Sequence, residues 1–125
     1  MGRVLWVGLG GFIGTVLRFA AVTWVHRMKA GWSFPLETLL VNVTGCLVIG
    51  FLASWGESRE VLTESARVFL FIGVLGGFTT FSAFGHETFH LMRGAQWLEA
   101  VASVTLQLVL GIGAVGLGSA LGQRA

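Results

Sequence analysis

Charge is scarce in this chain. Only 11% of its residues are Asp, Glu, Lys or Arg, against about 25% in a soluble domain. A water-facing surface cannot be built from that supply, so a soluble globular fold is excluded. Proline occurs once, at Pro35, and cysteine once, at Cys46. A single thiol excludes an intramolecular disulfide, and Cys46, inside an apolar run, reads as a small packing residue. Carboxylates are missing from the middle of every apolar run, with Glu37 and Glu87 falling near run ends. A proton- or cation-coupled carrier therefore has no obvious coupling group. The net charge of +2 is carried by basic residues scattered among loop ends, which is no nucleic-acid surface.

What remains is largely apolar. Four runs, at about 4–25, 36–55, 67–90 and 97–121, each approach the ~20 residues needed to cross ~30 Å of hydrocarbon. Together they use nearly the whole chain as a single four-helix transmembrane domain. The first run is long and leads into no small-x-small cleavage site, so it is expected to remain as a span. Tryptophan placement is an independent test. Trp6, Trp24, Trp32, Trp55 and Trp97 all fall at predicted span ends, where an amphipathic indole prefers the headgroup region. Orientation is less decided. Arg3, Arg59, Arg67 and Arg124 would lie on one side, and Arg27, Lys29 and Arg93 on the other. So small a bias fails to choose a direction; either both orientations are inserted, or another feature settles one.

Several motifs have a plain and a sharper reading. GLGGFIG, Gly8 to Gly14, looks like a dinucleotide loop, but no βαβ unit surrounds it. Its glycines read instead as helix-packing positions, and Gly10/Gly14, Gly73/Gly77 and Gly118/Gly122 share the four-residue spacing of such faces. HETFH, His86 to His90, matches the H-E-x-x-H pattern of zinc proteases. That chemistry needs a third ligand and a water-filled cleft, and His26 lies in a loop with no supporting pattern. The plainer expectation is polar residues ending the third span. Arg18 lies deep in the first span, where it either snorkels toward the His26 end or lends a positive field to an aqueous vestibule. Asn42 is the one amide near the middle of the second span and shares a face with Thr38 and Gly45. It is helix-to-helix glue or part of a polar track. The fourth span carries Ser103, Gln107 and Gly111 on one stripe, with Thr105 off that line.

GVLGGFTTFSAFG, residues 73–85, is the least expected stretch. Gly76 and Gly77 followed by Thr79 and Thr80 are expected to interrupt the helical ladder at mid-depth. Such backbone is tolerated only where it is buried in protein or faces water, and its freed carbonyls suit a hard cation. Phe81 and Phe84 are expected to share a face of the resuming helix, with electropositive ring edges that can face an anion.

GGFIGTVLRF, TLLVNVTG and GVLGGFTTFSAF, in that order within a four-span chain, resemble the Fluc (CrcB) fluoride channels of microbial membranes. The similarity extends over essentially the whole chain. It implies an all-α membrane protein with a broken third helix, assembled as an antiparallel dual-topology dimer in the inner membrane. The partner would be an identical copy or a homologue. It implies passive fluoride export that lowers cytoplasmic fluoride, with no enzymatic step. A structural sodium ion at the dimer centre would be held by the carbonyls of Gly76 and Thr79. Phe81 and Phe84 would line the fluoride path, Asn42 would be its amide, and Thr38, Thr80 and Ser82 would add hydroxyls. Arg18 would be the vestibule arginine. Ser103, Gln107 and Gly111 depart from the tyrosine and serines that members often show. Two other classes stand beside this one: a small multidrug-type transporter, which needs an embedded carboxylate, and a non-transporting assembly subunit, which gives the in-phase phenylalanines no role.

Overall fold

A computed structural model describes residues 2–29, 31 and 33–125. Trp32, expected at an interface, lies outside the described residues. Those residues form helices joined by turns and short loops. Four helices are long and apolar enough to cross a membrane: Gly2–Met28 (α1), Leu36–Arg59 (α2), Glu64–Arg93 and Trp97–Arg124 (α4). The third is in two pieces. Its first half, α3a, runs from Glu64–Arg67 through a π-helical stretch, Val68–Leu75, to Gly76–Phe78. Its second half, α3b, is Phe81–Arg93. α2 and α4 start at the first residues of their apolar runs, and all four helices outrun the runs at one end or both. Polar end residues continue a helix into the headgroup region as readily as they stop it.

Helices pair with partners two places away in the chain: α1 lies along α3a, and α2 lies along α4. Lipid supplies no hydrophobic drive for this, so close backbone approach across small residues must hold the pairs. The expected glycine faces are where the backbones touch. A Cβ on Gly14 would stand 2.0 Å from the Val74 carbonyl oxygen, and one on Gly77 would stand 2.7 Å from that of Gly11. In the other pair, Cβ atoms on Gly118 and Gly122 would meet the carbonyls of Leu47 and Phe51 at 2.1 and 2.4 Å. A hydroxyl pair, Ser54 and Ser119, 2.6 Å apart, adds a polar tie between α2 and α4.

The third helix breaks within the expected stretch, at Thr79 and Thr80, with the two glycines before them still helical. Gly76 is helical, with φ −64° and ψ −34°. Extended backbone begins at Thr79 (φ −82°, ψ 159°) and ends at Thr80 (φ −152°, ψ 116°). The reason is physical: Gly77 is needed against α1, and β-branched threonine tolerates extended backbone well. The break also moves the third helix from one pair to the other, since α3a packs on α1 and α3b on α4 and α2. Nothing in VFLFIGVL marks the π-winding, in which the Gly76 N–H reaches the Phe71 carbonyl five residues back. At the α1–α2 end, Lys29 Nζ donates to Glu37 Oε2 (2.7 Å) and to the Phe34 carbonyl (3.0 Å), with His26 Nδ1 3.2 Å from Glu37 Oε1.

Candidate functional site

The break opens a helical ladder inside the membrane, and side chains from three spans take up its loose ends. In a continuing helix the Thr80 N–H would bond the Gly76 carbonyl. Here it donates to Asn42 Oδ1 at 2.8 Å. Asn42 Nδ2 gives one hydrogen to the Thr80 carbonyl (3.1 Å) and the other to Gln107 Oε1 (3.2 Å). The Ala83 N–H donates to Thr80 Oγ1 (3.2 Å), the N-cap of α3b. Thr79 turns its N–H and its hydroxyl back to the Leu75 carbonyl, at 3.0 and 2.9 Å. Its own carbonyl accepts from Arg18 Nη1 at 3.1 Å. Arg18 therefore does not snorkel toward the His26 end; its guanidinium is drawn inward by an oxygen that has lost its helical donor.

Two clefts flank this knot. One, of about 370 Å³, is bordered by Asn42, Gln107, Thr79, Phe81 and Phe84. The other, of about 590 Å³, is bordered by Arg18, Thr38, Ser82, His86 and Glu87. Thr80 borders both. The residues expected along one path are thus divided between two spaces that share a single threonine. Phe81 and Phe84 do lie on one face, their ring centroids 5.4 Å apart and their planes inclined at 65°. Phe81 is 82% exposed, so a single chain leaves that wall of the first cleft open.

The stripe on α4 divides in the same way. Gln107 reaches the break, whereas Ser103 is fully buried with its hydroxyl 3.4 Å from that of Thr88 on α3b. Gly111 is buried with Cys46 Sγ as its near neighbour. Thr105 is exposed, off the stripe as read. Thr38 is buried and donates to Glu87 Oε1 at 2.7 Å. Glu87 lies deeper than expected, because α3b continues to Arg93 and carries the carboxylate inward against α2. No spacing rule joins Thr38 to Glu87 or Arg18 to Thr79, since each pair lies on different spans. Among the described residues, two enclosed polar atoms have no partner: Glu87 Oε2 and Gln107 Nε2.

His86 and His90 stack edge-to-face with centroids 4.5 Å apart. They border a third cleft, of about 450 Å³, together with Lys29, Glu37 and Glu87. Among the described residues no three His, Cys, Asp or Glu side chains converge as metal ligands. Chemically, the arrangement offers an anion neutral amide, hydroxyl and ring-edge donors, with one guanidinium beside them. At the break itself it offers a cation carbonyl and hydroxyl oxygens, with the one carboxylate, Glu87, in the second cleft.

The family model for the CrcB-like proteins (Camphor Resistance) matches residues 5–119. A protein of Methylobacillus flagellatus named fluoride-specific ion channel FluC is 44% identical over 118 residues, 94% of this chain and 92% of its own. Namesakes in Rhizobium meliloti and Chloroflexus aurantiacus are 42% and 39% identical, over 97% and 98% of this chain and 96% and 97% of theirs.

Proposed function

The chain belongs to the CrcB family, and from that premise we propose that it is a fluoride channel of the inner membrane, a passive leak that lowers cytoplasmic fluoride. One observation carries the reading most directly. The first cleft joins a half-buried amide pair, Asn42 and Gln107, to an edge-inclined aromatic pair, Phe81 and Phe84, at a helix break. Fluoride is small and strongly hydrated, so a pore must replace its water with donors and still release it. Amide hydrogens and ring edges are moderate partners, and several weak sites in series let an ion enter and leave. Arg18, in the neighbouring cleft, raises the local anion concentration by its field. No catalytic group takes part.

The working unit is two antiparallel copies. Gly76 is exposed and its carbonyl has lost the Thr80 N–H, a condition hydrocarbon does not tolerate. A second copy laid across the break covers it, and also closes the open wall at Phe81. The Gly76 and Thr79 carbonyls would hold a sodium ion there. As donors they fit a hard cation, but two oxygens are too few, since such ions gather about six. A twofold-related copy brings a matching pair, four carbonyls in all, which still leaves places for other oxygens. The Arg18 bond uses one lone pair of the Thr79 oxygen and leaves the other. When bound, the ion would supply a fixed positive charge tying two carbonyl-lined breaks together.

Purified protein in liposomes, followed with fluoride and chloride electrodes, tests the function. Rapid fluoride efflux with little chloride efflux is expected. No fluoride efflux, or equal efflux of both ions, would sink the reading.

A further inference from the structure

Asn42 has no hydrogen left for an ion. Its Oδ1 must face the Thr80 N–H, which can only donate, so the orientation of this amide is fixed by the backbone. Both Nδ2 hydrogens are then committed, one to the Thr80 carbonyl and one to Gln107 Oε1. The second amide is oriented by the first. Because Asn42 donates to it, Gln107 must turn its oxygen toward Asn42 and its NH2 away. That NH2 is enclosed and meets no acceptor. An enclosed amide donor without a partner is destabilising, and Gln107 belongs to the lining of the same cleft as Phe81 and Phe84. Among the described residues, no carbonyl or carboxylate accepts from it.

We propose that Gln107 is the residue whose amide hydrogens meet the anion in this chain, with Asn42 as the positioning residue that aims it. The inference rests on the channel reading and deepens it by reassigning the donor. The geometry also links ion and scaffold in one chain of hydrogen bonds: anion, Gln107, Asn42, Thr80. Donation from Asn42 into Gln107 Oε1 polarises the Gln107 amide and strengthens its N–H groups as donors. A bond from such a donor to an ion is stronger than one to a neutral acceptor. It remains weaker than a bond from a lysine, so release stays fast.

Gln107→Glu is the sharpest perturbation, because it exchanges only the outward NH2 for oxygen and keeps the oxygen that faces Asn42. Gln107→Leu removes the donor and leaves no charge. In liposomes both variants are expected to slow fluoride efflux at least about tenfold, while eluting at the same size as the parent protein. A second readout does not depend on flux. With side-chain 15N-labelled glutamine, Gln96, Gln107 and Gln123 give the amide resonances, and Gln107→Leu assigns its own by loss. Sodium fluoride added to the parent protein should shift the Gln107 resonance saturably and leave the other two in place, and sodium chloride should not. An unmoved Gln107 resonance, or full-speed efflux through Gln107→Leu, would overturn the assignment. A parent protein that shifts this resonance but carries no fluoride would instead overturn the channel reading and leave the anion donor standing.

Discussion

Replacing Asn42 with leucine keeps the heavy-atom branching, with somewhat bulkier methyl groups, and removes three hydrogen bonds at one residue. The Thr80 N–H, the Thr80 carbonyl and Gln107 Oε1 all lose their partners. At about 1 kcal/mol of net stabilisation per bond, the loss is at least about 3 kcal/mol. Stranding the Thr80 N–H away from water adds about 1–2 kcal/mol more. For a chain of this size that is a fall in Tm of roughly 16–20 °C, at about 4 °C per kcal/mol. Ser54→Ala is the control, since it removes one bond, to Ser119, on the same α2 helix away from the break; about 1 kcal/mol, or roughly 4 °C, is expected. Thermal unfolding of detergent-solubilised protein, followed by helical circular dichroism, compares the two. If Asn42→Leu melts no lower than Ser54→Ala, the amide does not hold the break together and the account of the site is wrong.

Other substitutions probe the remaining links. Gly14→Ala drives a methyl group into the Val74 carbonyl; a loss of about 1–3 kcal/mol and poor recovery of folded protein are expected. Gly113→Ala, with open space around it, should behave as the parent in the same purification. Phe81→Ile should slow fluoride efflux while the dimer still forms on size exclusion, and unchanged efflux would remove the ring from the path. Arg18→Gln can keep a bond to the Thr79 carbonyl but loses the charge. Its efflux should therefore fall most at low ionic strength, where the guanidinium field reaches furthest, and a salt-independent deficit would contradict a role for the field. Reporters fused to the carboxy terminus should be found on both sides of the membrane; detection on one side alone would exclude dual insertion.

The legible features were those set by residue type at a given depth. Apolar runs gave the spans, and the four-residue glycine spacing gave the helix faces that meet. GGFTTFS marked a break, but glycines and threonines were read together, and the structure puts the extended backbone at Thr79 and Thr80 alone. A glycine can serve extended backbone or close packing, and only the neighbouring α1 backbone decides that Gly77 serves packing. The i, i+3 spacing correctly put Phe81 and Phe84 on one face. The stripe on α4 was visible, yet its members part company: Ser103 turns to Thr88 and Gln107 to Asn42. That division depends on where α3b crosses, which no local pattern encodes. The hydrogen bonds of Asn42 were illegible for the same reason, because all of them reach other spans.

The alternating partnership of the helices has a consequence for biogenesis. Hairpins emerging in sequence would ordinarily be natural units of assembly, yet α1 finds its main mate in α3a, and α2 its main mate in α4. Between synthesis of the first hairpin and arrival of the third span, the glycine ridge of α1 has nothing to dock on. Gly118 and Gly122, the counterpart of α2, come last of all. Assembly must then be largely post-insertional, with separately inserted spans sorting laterally in lipid, and a ribosome stalled after α3b would leave α2 without its mate.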